Sequence, residues 1–314
     1  MPRTRLHLSR RDLLGSLSAL GAAAALGPRS AGAAEPAPGP MLTRAIPATG
    51  EPVPVIGMGS WITFNVGDDE ALRAQRLQVL QTFFDRGGAV IDSSPMYGTS
   101  EEVIGHCLAR IGDAGPLFSA TKVWTPLKWF GPGQMEESRE LWGVERFDLM
   151  QIHNMLNWEG HLETLLEDKA AGRIRYIGIT TSHGRRHDEF EKAMAEQPLD
   201  AVQLTYNILD RQAERRLLPL AAERGLAVLI NRPFRRKQLF SLFERHPLPE
   251  WAGEIDCANW AQFFLKFIVS HPAVTCAIPA TSRVDHMAEN MGALYGRLPD
   301  QAMRERMIRY VESL

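Results

Sequence analysis

The stretch from 90 to 105, VIDSSPMYGTSEEVIG, reads as a short buried strand, a tight loop and the start of a helix. Val90 and Ile91 run apolar into Asp92, Pro95 and Gly98 punctuate the loop, and Ser100 precedes Glu101 and Glu102. A small polar residue followed by acids is the first-turn chemistry that helix N-termini favour. The strand is bounded by a polar loop on its C-terminal side, so any side chain placed at its end is delivered to a mouth rather than to a core.

Working outward, the same unit recurs along the chain. Apolar runs fall at 54–61, 89–93, 117–122, 149–153, 176–180, 201–206, 227–231 and 275–279. Helical patterns lie between them at 70–86, 100–111, 162–171, 188–196, 212–224, 260–270 and 284–291, and a last one spans 299–313. Strands alternating with helices build a parallel sheet. Eight such units in about 250 residues predict an α/β fold of the (β/α)₈ TIM-barrel type. A doubly wound sheet is the rival, but Gly57-Met58-Gly59 continues as Ser60-Trp61-Ile62, with no dinucleotide-binding glycine pattern. Ahead of the barrel, MLTRAIPA and PVPVI flank Thr49-Gly50-Glu51, which predicts an N-terminal β-hairpin over 41–56.

The 314 residues carry 45% apolar and 23% charged side chains, an ordinary globular composition. A formal net charge of −2 gives no nucleic-acid footprint. Three cysteines, Cys107, Cys257 and Cys276, without a CxxC pair, predict neither a disulfide framework nor a zinc site. The first residues are a separate unit. Arg3, Arg5, Arg10 and Arg11 precede an uncharged stretch over 13–26, and Ala31-Gly32-Ala33 follows. That stretch is short of the roughly 20 residues of a membrane span and has the layout of a secretory signal. Ser9-Arg10-Arg11-Asp12-Leu13-Leu14 resembles the twin-arginine export motif. The expectation is a twin-arginine signal over 1–33, a stiff leader over 34–40 and a barrel domain over 41–314. It implies export to the periplasm or beyond, with the export machinery as a partner, no stable membrane insertion and no nucleic acid. The alternatives are a Sec signal with two incidental arginines, or an uncleaved anchor.

In a barrel the active site lies at the C-terminal ends of the strands. Three consecutive strand ends here carry Asp92, Lys122 and His153, and Tyr97 stands in the loop just after Asp92. An ammonium beside a phenol favours phenolate, a carboxylate can partner a buried lysine, and a neutral imidazole can donate to a carbonyl oxygen. None of the four supplies electrons, so a reductase built on them needs a hydride donor.

On these residues the chain resembles the aldo-keto reductase superfamily. The carrying segments are VIDSSPMYGTSEEVIG (90–105), ATK (120–122), LMQIH (149–153), GRIRYIGITT (172–181), VQLTYNILDR (202–211) and IPATSRVDHMAEN (278–290). The resemblance implies an NAD(P)H-dependent barrel enzyme that reduces aldehydes or ketones. Tyr97 would be the general acid, Lys122 would lower its pKa, Asp92 would hold Lys122, and His153 would orient the carbonyl. For the cofactor it implies Gly59, Ser60 and Trp61 at strand one, Thr180, Thr181 and Gln203 at the carboxamide, and Asn231, Arg232, Phe234 and Arg236 at strand seven. Thr281, Arg283, His286, Glu289 and Asn290 match the adenosine end, and the basic neighbours favour NADP(H) over NAD(H). Two departures stand out. Thr180-Thr181 replaces a Ser-Asn pair, and Asn231 replaces an aromatic ring that stacks on nicotinamide. Trp61, Trp124 and Trp158 are expected to line an apolar pocket for a small carbonyl substrate, open because the loops after strands four and seven are short. Two other readings remain open: a metal-dependent hydrolase on the same barrel, and a barrel that binds a nicotinamide nucleotide as a sensor without turnover.

Overall fold

A computed structural model of the chain describes residues 39–112 and 115–314. The expected signal over 1–33 and the leader as far as 38 lie outside the described residues. The predicted hairpin is present: β1 (Thr43–Ala45) pairs antiparallel with β2 (Pro52–Pro54), and Gly50 takes the left-handed conformation the turn needs, φ 76°.

The barrel strands follow as β3 (Met58–Gly59), β4 (Val90–Asp92), β5 (Phe118–Val123), β6 (Phe147–Ile152), β7 (Ile174–Thr180), β8 (Ala201–Thr205), β9 (Ala227–Asn231) and β10 (Cys276–Ala277). They pair in parallel in chain order, β3 through β10. Bridges from Ile56 to Ala277 and from Gly59 to Ala280 bring β10 back beside β3. This is the (β/α)₈ barrel with an N-terminal hairpin that the pattern predicts. At the seam a Cβ on Gly59 would stand 2.9 Å from the Ile278 carbonyl oxygen, so the backbones approach there only because residue 59 is glycine. The outer helices are α1 (Glu70–Asp85), α2 (Ser100–Ile111), α3 (Gly131–Trp142), α4 (Trp158–Ala170), α5 (His187–Glu196), α6 (Leu217–Arg224), α7 (Gln238–Phe243), α8 (Trp260–Val269), α9 (Val284–Gly292) and α10 (Gln301–Glu312).

Period-two alternation divides each strand into an outward and an inward set. The inward sets run from apolar to polar along the chain direction. Phe118 and Ala120 lead to Lys122, Leu149 leads to Gln151 and then His153, and Ala201 leads to Gln203. The apolar ends pack together with Ile46 and Val53 of the hairpin region, Val90, Tyr176, Leu229 and Cys276. Glu51 accepts hydrogen bonds from Arg175 and Tyr176, and Arg175 also bonds Asp148. The hairpin thereby closes the N-terminal end of the barrel, and the polar ends face the other mouth. A larger apolar cluster fills the layer between strands and helices.

Two helix expectations are corrected, and two helices, α3 and α7, lie outside the expected set. The pattern over 212–224 is a 3₁₀ turn, Gln212–Arg215, then a break at Arg216, then α6. Pro219 has no N–H and would strike the carbonyl four residues back, so a continuous helix is barred. The helix expected from 162 begins at Trp158. Helix α3 escapes the pattern because it opens on Gly131-Pro132-Gly133, and proline is tolerated in a first turn. The three cysteines are buried and free.

Candidate active site

Asp92 and Lys122 end neighbouring strands, and both point inward by the alternation above. Their side chains meet at 2.6 Å, with Lys122 fully buried and Asp92 nearly so. The ammonium also donates to the Ser93 carbonyl oxygen at 2.6 Å. Nζ also lies 5.2 Å from the centroid of the Tyr97 ring. Burial works against the charged lysine, but Asp92 and Tyr97 outweigh it, and its pKa stands above the ordinary value. Asp92 is held in turn. Its Oδ1 accepts from Gln151 Nε2 at 2.9 Å and from Gln203 Nε2 at 2.8 Å.

Tyr97 sits in the 3₁₀ turn Pro95–Tyr97, which starts at Ser94. Its pKa is raised, because burial pushes it up by more than Lys122 pulls it down. The expectation that Lys122 lowers the phenol is thus met in sign for that one interaction and reversed in net. Tyr97 therefore holds its proton at neutral pH in this state. The His153 ring stands edge-on to Tyr97, with centroids 5.6 Å apart. Burial and then the Lys122 charge push the imidazole down to about 3, so it is neutral at pH 7. Its Nδ1 lies 2.8 Å from Ser94 Oγ.

The residues assigned to cofactor fall into two groups. Thr180 Oγ1 accepts the Asn154 amide and keeps its own proton to donate. Gln203 directs its amide nitrogen at Asp92 and Gln151, which turns its carbonyl oxygen to other donors. Thr180 and Gln203 are register neighbours on β7 and β8, so a donor and an acceptor stand side by side at the mouth. Thr181, by contrast, donates to the Arg185 carbonyl in its own loop. Asn231 accepts from Thr205 at 2.7 Å and donates to the Thr181 carbonyl at 2.9 Å, tying β7, β8 and β9 together. The ring of Phe234 is buried against Phe240, in the core.

Beyond Asn231 the chain makes a cationic loop. Arg232, Arg235, Arg236 and Lys237 all have positive φ, between 47° and 74°. Consecutive bulky residues in that region are held there by the surrounding structure. Arg232 contacts His183, Arg235 pairs with Asp210, and the Arg236 guanidinium lies 4.2 Å from the Trp61 ring centroid. Ser60 is fully buried, its amide donates to the Asp92 carbonyl and its hydroxyl donates to Ser93, so it braces the strand end. At α9, Arg283 is exposed and bound to Asp285. Thr281 accepts the Arg283 amide, Asn290 is buried, and His286 and Glu289 are exposed. Of the pocket aromatics, Trp124 lines a cavity of about 430 Å³ with Trp129, Phe130, Gln134 and Leu156. Trp158 packs on the core and donates to Glu189.

Three residues of this site lie outside the set expected from the sequence. Gln151 was signalled by its place two residues before His153, which puts both on the inward face. Ser94 was signalled by its place two after Asp92. Glu101 is nearly fully buried, accepts from Thr121, Ser138 and Trp142, and has a carboxyl pushed up by burial. It locks α2 to β5 and α3 behind Lys122. Among the described residues no cluster of His, Cys, Asp or Glu is arranged to hold a metal ion, and no helix is long and apolar enough to cross a membrane.

Against this geometry, the aldo/keto reductase family model matches residues 55–307. The chain is 29% identical to the aldo-keto reductase YhdN of Bacillus subtilis over 195 residues, which span 56% of each chain. It is 24% identical to the methylglyoxal reductase YeaE of Escherichia coli over 77% of this chain and 86% of that one. An aldo/keto reductase from Klebsiella pneumoniae, solved with NADP and acetate, superposes with a TM-score of 0.70 at 25% identity, over 83% of this chain and 93% of its own.

Proposed function

The chain belongs to the aldo/keto reductase family, and on that premise we propose that it reduces aldehyde or ketone carbonyls with NADP(H), taken in preference to NAD(H). The observation that carries the proposal is the meeting of a protonated phenol, a buried ammonium–carboxylate pair and a neutral imidazole at one barrel mouth. When bound, a nicotinamide dinucleotide supplies the hydride to the carbonyl carbon. The charge left on oxygen needs a proton, and Tyr97 is the group placed to give it. Lys122 stabilises the phenolate that remains, and Asp92 holds Lys122 where that charge forms. His153, neutral, donates to the carbonyl oxygen and sets its approach. Thr180 and the Gln203 carbonyl oxygen suit an amide partner, and Arg232, Arg236 and Lys237 suit a pyrophosphate. The NADP of the Klebsiella relative and the aldehyde substrate in the name of the Escherichia relative support this reading. Trp61 and Trp124, in the loops after the first and third barrel strands, favour an apolar or aromatic carbonyl.

The test is a panel of carbonyl substrates with NADPH and NADH, run on the native chain and on Tyr97→Phe. The variant should lose about 10²–10⁴-fold in kcat, the worth of a general acid. Its NADPH affinity, read by fluorescence titration, should hold. Unchanged turnover in the variant, or none in the native chain, overturns the proposal.

The arginine pair and uncharged stretch at the N-terminus support export of the precursor by the twin-arginine route. Lysines at positions 10 and 11 should hold the precursor in the cytoplasm, and normal export of that variant rejects the route.

A further inference from the structure

Ser94 is fully buried between the strand end at Asp92 and the turn that carries Tyr97. Its backbone is extended, as a residue before proline prefers. That conformation starts the Pro95–Tyr97 turn and lets Oγ accept the Met96 amide at 3.2 Å. The same oxygen lies 2.8 Å from His153 Nδ1. The contact can be made in two ways. Either Nδ1 carries the proton and donates to Oγ, or Oγ donates to a bare Nδ1.

A hydroxyl has one proton and two acceptor sites, and a neutral imidazole has one donor and one acceptor nitrogen. The Met96 amide can only donate, so it occupies an acceptor site of Oγ. If Nδ1–H also donated to Oγ, the serine proton would have no acceptor among the described residues, on a side chain fully withdrawn from solvent. If Oγ donates to Nδ1, both groups are satisfied at once. Buried polar groups adopt the satisfied arrangement. Because burial keeps His153 neutral, the remaining proton then resides on Nε2. Among the described residues Nε2 has no hydrogen-bond partner, so it is the nitrogen left to meet a substrate oxygen.

We infer that Ser94 is a positioning residue that fixes His153 in the Nε2–H tautomer and so aims a donor at the carbonyl oxygen. The tautomer assignment stands on the hydrogen-bond geometry and on the burial that keeps the ring neutral, and only its kinetic consequence rests on the carbonyl-reduction reading. The motif contains two serines in a row, and the structure divides their work. Ser93 gives its backbone carbonyl to Lys122, and Ser94 gives its side chain to His153.

The experiment is long-range ¹H–¹⁵N correlation of the histidine rings in the native chain, Ser94→Ala and Ser94→Thr, with the His153 signals assigned by loss in His153→Asn. The native ring should show a protonated Nε2 and a hydrogen-bonded, unprotonated Nδ1. Ser94→Ala should move the Nδ1 signal to that of an unbonded nitrogen or to a mixture of tautomers, and Ser94→Thr, which keeps the hydroxyl, should restore it. In turnover, Ser94→Ala should lower kcat about tenfold, the worth of one hydrogen bond, with NADPH affinity unchanged and Ser94→Thr recovering most of the loss. A protonated Nδ1 in the native chain overturns the inference without touching the catalytic proposal. So does an Nδ1 signal that Ser94→Ala leaves in place. If no carbonyl is turned over, the spectra still decide the tautomer.

Discussion

Among the described residues two lysines, Lys122 and Lys266, are completely withdrawn from solvent, and they sit in opposite surroundings. Lys122, at the end of β5, meets a carboxylate, a backbone carbonyl and a phenol, and its pKa is raised. Lys266, in α8, meets only backbone carbonyls, those of Ile255 at 2.7 Å, Arg297 at 3.2 Å and Asp256 at 3.5 Å. Burial there pulls its pKa down. A carboxylate is the expected partner of a buried lysine, and Lys266 shows that carbonyl oxygens left over at chain turns can serve instead. Burial of a cation is therefore no signature of chemistry by itself. What separates Lys122 is a neighbour able to exchange a proton, at a mouth where a substrate can arrive.

Replacing each lysine by methionine is the sharpest way to break that contrast. Lys122→Met should cost activity on the scale of a lost general acid, about 10²–10⁴-fold in kcat. It should also destabilise the fold by about 3–5 kcal/mol, since Asp92 is left buried without its ion partner. The amides of Gln151 and Gln203 that remain on Asp92 place the effect toward the lower end. Lys266→Met should cost about 1–3 kcal/mol for a buried carbonyl left bare, and leave kcat per folded molecule unchanged. Denaturant melts and turnover on the same preparations check both. An equal loss of turnover in the two variants would mean that either lysine acts only by holding the fold.

The acid limb of stability sharpens the contrast further. An unfolded imidazole titrates near 6.5, and folded His153 is pushed down to about 3. The unfolded state therefore binds the extra proton first as pH falls. The contribution of the neutral ring is intact above 6.5, and it is lost by about 1.4 kcal/mol per pH unit on the way down toward 3. His153→Asn should flatten the fall in stability between about pH 6 and pH 4 by that slope. Lys122→Met should flatten it in part, because the Lys122 charge is the second cause of the shift, whereas Lys266→Met should leave the His153 contribution to the slope as it is.

The same contrast explains what could be read from the chain before its structure. Asp92, Lys122 and His153 were legible because each ends an apolar run, and the strand period fixes which way an end residue points. The hairpin and the eight strands were legible for the same reason of pattern. Lys266 was invisible, since its partners are carbonyls of segments on either side of α8, joined only by tertiary packing. The brace of Gln151 and Gln203 on Asp92 needs the register of β4, β6 and β8. Helix α3 was hidden by its own opening residues, and Phe234 was assigned to cofactor because a loop sequence does not say which residue turns inward.

The smallest expected effect concerns Arg283, which the sequence reading offers to the extra phosphate of NADP(H). The side chain is not waiting free. It is bound to Asp285, whose carboxyl the guanidinium holds well below the usual carboxylate range. Both side chains are exposed, and exposed pairs are weak and screened by salt. A phosphate must therefore displace or share a partner that is already engaged, and the net gain from Arg283 is small. Arg283→Ala should weaken NADPH binding by only about two- to fivefold and leave NADH unchanged. Asp285→Ala, which frees the guanidinium and removes a negative charge beside the phosphate, should tighten NADPH by a similar factor and also leave NADH alone. Fluorescence titrations of both cofactors at low and moderate salt measure all four changes. If Asp285→Ala weakens NADPH, the acid is orienting the arginine rather than competing for it. If neither variant shifts the NADPH to NADH ratio, the preference resides in the cationic loop after Asn231 or is absent. Because the Arg283 contribution is exposed, it should fade as salt rises, whereas the buried Lys122–Asp92 pair, fully shielded from ions, should keep its hold on Tyr97.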